Sequence, residues 1–430
     1  MREPRWRGTW KKTAGLPKHR RIQMTSRPPM YSSVLKHQSP YQGDIPGAVV
    51  IGGDYQGLGI VRSLGRRGIP VCVVDDEHSI SRFSRYTQFA VRVPDLRNET
   101  AAIEALLGIG RRLNLKGWVL FPTREELVAA VSRHRSALLE LFRVPTPPWS
   151  TVQWMWDKRN TYRLAEELKI PIPETWIPET LEDTDKITTA FPLALKPAIK
   201  EHFFYATKVK AWRADGKEQL RELLARAYSI AGPGEIIIQD LIPGDGKHQF
   251  GYCAFFKDGK AVGSMVTRRR RQHPYEFGRA STFVETIDLP SLESVSRRFL
   301  DKINYYGLVE IEFKLDPRDG QFKLLDVNPR TWGYHSLGPS AGVDFPYLLY
   351  RDQVGMAVEC CRGKSGVSWI RMLTDLPTGL MDVFSGRLSF GEYIKSLRNC
   401  NTEAVFSWKD PMPGLVECAL LPYLAIRRGF

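Results

Sequence analysis

Cysteine is scarce in this sequence and its spacing forms no paired motif. The 430 residues hold six Cys, at 72, 253, 360, 361, 400 and 418, and none belongs to a Cys-x-x-Cys pair. The adjacent Cys360-Cys361 suits neither a common disulfide nor a zinc site. Long apolar runs are also missing. The longest late stretch, Cys418 to Ile426, is interrupted by Pro422 and is about half the length a membrane helix needs. No apolar signal-peptide core stands near the start. These absences predict a reduced, cytoplasmic protein without a transmembrane segment. A basic face spread over the body is absent too. Residues 1–40 carry ten Lys/Arg against one Glu, which places most of the net +15 in one terminal stretch. Nucleic-acid binders distribute basic residues over the binding element, so no dedicated nucleic-acid binding is expected.

What is present is ordinary for globular domains. Hydrophobic residues make up 43% and charged residues 25%, which excludes wholesale disorder, and the length fits two or three domains. Residues 1–45 are basic, rich in Pro and Ser, and without periodicity; they read as a disordered tail. Order is expected from Gly47. The apolar run Ala48 to Ile51 reads as a buried parallel strand. The glycines 52, 53, 57 and 59 follow as a turn, then a helix Ile60 to Arg67 stopped by Gly68, then a strand Ile69 to Val74 closed by Asp75-Asp76-Glu77. This is the order of a Rossmann-type βαβ unit. The glycine spacing does not give G-x-G-x-x-G, and glycines serve equally for a tight turn and close packing, so a dinucleotide site is not expected. A helix Glu99 to Leu113 and a strand Gly117 to Phe121 continue the pattern.

Pro145, Pro147 and Pro148 mark a boundary. Beyond it come a helix Arg159 to Leu168, the strand Phe191 to Pro197 carrying Lys196, a helix Lys217 to Tyr228, and the strand Glu235 to Gln239. Gly251 to Phe256 and Ala261 to Thr267 flank Asp258-Gly259 as a hairpin.

The most informative segment is Gly307 to Arg330. From Leu308 to Leu315 the odd positions are apolar, and 310, 312 and 314 are charged. That is period two, a strand with one polar face. Asp316 to Gly320 supplies turn residues, and Leu325 and Val327 alternate with Asp326 and Asn328 on the return. Opposed residues of an antiparallel pair share a face. Pairing in which opposed numbers sum to 636 or 638 puts Glu310, Glu312, Asp326 and Asn328 together; an odd sum sets acids against the apolar side. Clustered carboxylates repel unless a cation joins them. Hard oxygen donors select Mg²⁺ or Mn²⁺, and a site of one or two carboxylates that also takes phosphate oxygens is the usual Mg²⁺–nucleotide arrangement. Arg330 stands two residues beyond Asn328, ready to grip an anion.

Lys158, Leu195-Lys196-Pro197, Gln239-Asp240-Leu241-Ile242-Pro243-Gly244, Glu312, and Asp326-Val327-Asn328-Pro329-Arg330 occur in that order. Together they resemble the ATP-grasp superfamily, in its carboxylate–amine ligase branch related to biotin carboxylase and the carbamoyl-phosphate synthase large subunit. Arg271-Gln272-His273-Pro274, Gly278 to Thr282, Trp369 to Asp375 and Asp410-Pro411-Met412-Pro413 are similar to that branch as well.

The resemblance implies an α/β chain with a Rossmann-like pre-ATP-grasp domain followed by a two-subdomain α+β ATP-grasp core. Its expected limits are a tail at 1–45, the first domain at 46–148, the core at 149–357 (small subdomain 149–238, large subdomain 239–357), and a C-terminal extension at 358–430. It also implies ATP, with Lys158 and Lys196 on its phosphates, Gln239, Asp240, Leu241 and Ile242 as the hinge that holds adenine, and Asp245 toward the ribose. Glu312, Asp326 and Asn328 match the Mg²⁺ ligands. Arg330 matches the arginine that stabilises a phosphorylated intermediate, and Arg271, expected to be the inward member of the run Arg268 to Arg271, meets phosphate or the acceptor carboxylate. The implied reaction joins a small-molecule carboxylate to an amine through an acyl phosphate, and a homodimer is a common assembly of such proteins. A bicarbonate-using, carboxylase-like ligase and a non-catalytic nucleotide-binding descendant are the alternatives. Two departures stand out. The segment after Lys196, Ala198 to Tyr205, has no glycine where relatives have a glycine-rich phosphate loop; Lys200 or His202 stands in for the backbone donors, or the segment is an ordinary ordered lid. Asp326 replaces the commoner Glu and reaches one methylene less far.

Overall fold

The computed structural model describes residues 33–36, 39–275, 277–278 and 280–423. Most of the basic tail expected at 1–45 therefore lies outside the described residues, as do Arg279 and the end of the Cys418-to-Ile426 stretch. Among the described residues no helix is long and apolar enough to cross a membrane.

The described chain forms two compact units, one of residues 173–241 and one of residues 33–172 with 242–423. In the larger unit the first sheet has five strands, in the order Ser33–Lys36, Phe89–Arg92, Val71–Asp75, Ala48–Ile51, Val119–Pro122. All neighbours are parallel except the antiparallel pair made by Ser33–Lys36 and Phe89–Arg92. Strand alternation divides the apolar residues between two cores. Ala48, Val50, Val71 and Val73 meet Leu58, Val61 and Leu64 of the helix Tyr55–Gly65. Val49, Ile51, Cys72 and Val74 meet Ala102, Ile103, Leu106 and Ile109 of the helix Glu99–Arg112.

The first helix begins five residues earlier than its sequence pattern predicts. Asp54 caps it, accepting the Gln56 N–H at 3.0 Å. Gly57 and Gly59 are helical, not turn residues. A Cβ on Gly57 would lie 2.3 Å from the Gly52 carbonyl oxygen, and one on Gly59 would lie 2.6 Å from the His335 ring. These two glycines thus permit close packing, and only Gly52, with φ +95°, needs the left-handed region.

The second sheet of this unit has eight strands and is mainly antiparallel. Its main order is Phe322–Asn328, Gly307–Leu315, Gln249–Lys257, Lys260–His273, Ala280–Ile287, Ser368–Ile370, Thr402–Glu403. Cys361–Arg362 adds in parallel to the long strand Lys260–His273. The late segments enter this unit through buried ion pairs. Arg62 pairs with Asp410 at 2.9 Å, Arg271 with Asp375 at 2.8 Å, and Arg371 with Glu417 at 2.5 Å.

The smaller unit is a four-stranded antiparallel sheet, in the order Thr175–Trp176, Ile236–Asp240, Leu193–Pro197, Trp212–Ala214. The helix Lys217–Ala231 packs Leu220, Leu224 and Ala227 against Leu193, Leu195, Ile236 and Ile238. The glycine-free segment after Lys196 is a helix, Lys200–Thr207, closed by Lys208 at φ 63°. Phe203 holds it down, buried in the same core with its ring 4.8 Å from that of Trp212.

Candidate nucleotide and metal site

The polar hairpin face forms in the larger unit with the even register. Glu310 opposes Asn328 and Glu312 opposes Asp326, so the opposed numbers sum to 638; a bulge after Glu312 then shifts the pairing by one. On the other side the strand is paired to Gln249–Lys257, where Gly251 opposes Glu312 and Cys253 opposes Glu310. The next strand places Thr267 opposite Gly251. One face of four strands therefore collects Glu310, Glu312, Asp326, Asn328, Gly251, Cys253, Thr267 and Arg269.

Charge on this face is matched by cations from the same unit. Arg269 donates to Glu312 at 2.7 Å and to Gln249 at 2.7 Å. Lys158 opens the helix Lys158–Glu167, which Asp157 caps, and its ammonium lies 2.5 Å from Asp326. The Asn328 amide donates to Glu310 at 3.1 Å and to Glu312 at 3.0 Å. Its carbonyl oxygen accepts from Arg330 at 3.3 Å, and Arg330 also pairs with Glu125 at 2.6 Å. The Tyr334 hydroxyl donates to Glu310 at 2.6 Å and stands 2.9 Å from the Thr267 hydroxyl. Gly251 makes these reaches possible: a Cβ there would sit 2.4 Å from the Tyr334 oxygen and 2.8 Å from that of Thr267.

Burial and these neighbours set the protonation states. Burial pushes the Glu310 carboxyl up, and the adjacent Glu312 adds to the rise, against the pull of Arg269 and Tyr334. Burial alone would lower the Lys158 ammonium, but Asp326, Tyr162 and Glu125 outweigh it and hold the pKa above that of an ordinary lysine. Arg269 is raised by Glu312 and Glu310 in the same way, against its own desolvation.

The other sequence-derived residues fall elsewhere. In the smaller unit Lys196 is half-buried on the strand Leu193–Pro197, opposite Ile237, on the face away from the core residues Leu193 and Leu195. Gln239 is buried and donates to the Thr175 hydroxyl at 2.7 Å. The Asp240 and Leu241 N–H groups are taken by the carbonyl oxygens of Glu174 and Pro192, so these two donors are already engaged. Ile242 belongs to the larger unit, where its carbonyl oxygen accepts from the buried Lys314 at 2.7 Å, as does that of Gly244 at 2.9 Å. Asp245 accepts the Lys247 N–H at 2.9 Å and faces His248 at 3.1 Å, capping a short turn. Arg271 is not on the carboxylate face. Its Nε and one terminal nitrogen each donate to Asp375 at 2.8 Å, and Phe283 and Tyr393 lie beneath its guanidinium.

Sequence reasoning missed Arg269, Tyr334 and Lys314. Arg269 and Arg271 share parity, so alternation could not separate them; bulges in the pairing of this strand on either side of Arg271 do. The acids Asp75 and Asp76, where a dinucleotide ribose would bind, are taken by Arg124 at 2.6 and 2.8 Å.

Among the described residues no group of three His, Cys, Asp or Glu side chains converges as a ready metal cage. The donor set on the hairpin is instead two carboxylates and an amide oxygen. Such a set fits a hard cation that brings further oxygen ligands with it, as Mg²⁺ on nucleotide phosphates does.

No family model matches the chain. A D-aspartate ligase from Enterococcus faecium (strain Aus0004) is 25% identical over 298 residues, 66% of this chain and 70% of that protein. Among solved structures, the biotin carboxylase domain of Hydrogenobacter thermophilus 2-oxoglutarate carboxylase superposes with a TM-score of 0.62 at 15% identity, covering 76% of this chain and 74% of its own. An L-amino acid ligase from Bacillus licheniformis gives 0.55 at 16%, covering 73% and 75%. N5-carboxyaminoimidazole synthetase from Staphylococcus aureus gives 0.56 at 14%, covering 76% and 81%. The solved structures share the fold of this chain and the D-aspartate ligase is similar to it in sequence, both in keeping with the resemblance of its motif order to the ATP-grasp ligases.

Proposed function

We propose that this protein is an ATP- and Mg²⁺-dependent ligase that joins a carboxylate to an amine through an acyl phosphate. The observation that carries the reading is the directly opposed pair Glu312 and Asp326, with Asn328 on the same hairpin face and Lys158 and Arg330 reaching onto it. Two relatives named for amino acids, the D-aspartate ligase and the L-amino acid ligase, support an amino acid as one substrate.

Bound Mg²⁺–ATP supplies a γ-phosphoryl group that turns a carboxylate oxygen into a leaving group. Glu312, Asp326 and Asn328 are assigned to the metal. Lys158 and Arg330 neutralise the phosphoryl oxygens as charge spreads over them, which is the main catalytic demand of phosphoryl transfer. Lys196, in its own unit, is assigned to the α-phosphate, and the Gln239 to Ile242 segment and Asp245 to the nucleoside. Arg271 is assigned to holding its strand through Asp375. The carboxylate oxygen attacks the γ-phosphorus and ADP leaves. The amine nitrogen then attacks the acyl carbon, loses a proton, and phosphate leaves. No side-chain nucleophile is required.

The test is melting temperature with ATP and Mg²⁺, followed by ADP release with carboxylate and amine pairs, amino acids first. A ligand at about 100 times its Kd stabilises by about 2.7 kcal/mol. A metal-dependent rise that Glu312→Ala weakens, with ADP release needing both substrates, is expected. Release that needs bicarbonate would favour the carboxylase-like alternative. Nucleotide binding with no release from any pair would leave a non-catalytic descendant.

A further inference from the structure

On the opposite face of the same sheet lies a cleft of about 280 Å³ that the ligase reading does not use. Tyr252, between Gly251 and Cys253 on the strand Gln249–Lys257, turns to this face and lines the cleft. It is fully buried, and its hydroxyl has no hydrogen-bond partner. Leaving a buried hydroxyl unmatched is unfavourable, so a group that reaches it gains a bond that the protein alone leaves unmade.

The charges around the cleft are unequal. Glu293, on the helix Pro290–Lys302, is matched by Arg362, whose guanidinium lies 2.6 Å from it and 2.5 Å from Asp288. Lys260 and Arg297 also line the cleft, and neither makes an ion pair among the described residues. Two cations therefore face a cleft whose one lining carboxylate is already paired. We propose that this cleft is a second ligand site, for a small molecule bearing a phosphate or carboxylate group, with Lys260 and Arg297 as its charge partners and the Tyr252 hydroxyl as a donor from the floor.

Cys360 lines the same cleft and is exposed, and Cys418 is exposed elsewhere in the sequence as an internal control. The experiment follows maleimide labelling of each cysteine, peptide by peptide, in the full chain with orthophosphate, malonate, or chloride at matched ionic strength. Labelling of Cys360 should slow at least about threefold with orthophosphate, malonate or both, while Cys418 is unaffected; which anion protects tells phosphate from carboxylate. Protection should persist in Glu312→Ala, fall in Tyr252→Phe, and vanish in the Lys260→Ala/Arg297→Ala double variant, whose melting temperature reports that it is folded. Equal labelling of Cys360 in all three salts, or protection that survives in the folded double variant, would overturn the proposal.

Discussion

Arg269 and Arg271 lie two residues apart on one strand and do different work. Arg269 faces Glu312 and Arg271 faces the buried Asp375. Removing one partner of a buried pair leaves the other charge uncompensated, at a cost of about 3–5 kcal/mol. Asp375→Ala should therefore lower the melting temperature by many degrees, and Arg271→Ala should do the same; a double variant should lose less than the sum of the two. Additive losses would mean that the pair does not act as a unit. Glu166 makes a second residue-scale prediction. Burial raises its carboxyl from the ordinary 4.5 to about 7. The native state then holds the proton more tightly than the unfolded chain, so this group weakens the fold progressively as pH rises from about 4.5 through about 7. Glu166→Gln should match the wild type near pH 4 and exceed its melting temperature increasingly up to pH 8. A difference that stays constant with pH would refute that assignment.

Among the elements, the strand Gln249–Lys257 is the one that both faces of the sheet depend on. Gly251 leaves room for Tyr334, Thr267 and Glu310 to meet. Gly251→Ala places a methyl group 2.4 Å from the Tyr334 oxygen, too close for both to stay, so the hydrogen bond from Tyr334 to Glu310 must break or the strand must shift. Overpacking of this kind costs about 1–3 kcal/mol, and the stabilisation by ATP and Mg²⁺ should shrink beyond what the lower melting temperature alone accounts for. An unchanged nucleotide response would show that the Glu310 network does not position Glu312. The carboxylate register itself was legible in the sequence, because burying Ile311 against Val327 leaves only the even pairing at Glu310 and Glu312. The start of the first helix was not: Gly57 and Gly59 are there for contacts with Gly52 and His335, and the His335 contact is made 276 residues away in the chain.

For the molecule as a whole, the late segments are part of the larger unit's interior. Asp375, Asp410 and Glu417 are buried against Arg271, Arg62 and Arg371, and the Asp410 carboxylate also accepts from Ser84 at 2.8 Å and from the Arg85 N–H at 2.9 Å. A chain ending at Gly366 should leave Arg62 and Arg271 buried without their partners and fail to give a cooperative melt. A soluble, cooperatively melting truncation that still responds to ATP would show that residues 367–430 are dispensable to the fold.

Local pattern determined a good deal. Apolar runs, period-two alternation and turn residues located most strands, and charge alternation together with burial fixed which acids share a face, since both effects act within a few residues. Other features had to wait for the tertiary structure. Bulges chose Arg269 over Arg271 for the carboxylates. Phe203 and its neighbours folded the glycine-free segment into a helix, and distant aspartates determined which arginines were free to act. Each of these depends on a partner that alternation does not name, because a side chain's role is set by the charge and space it meets after the chain has closed on itself.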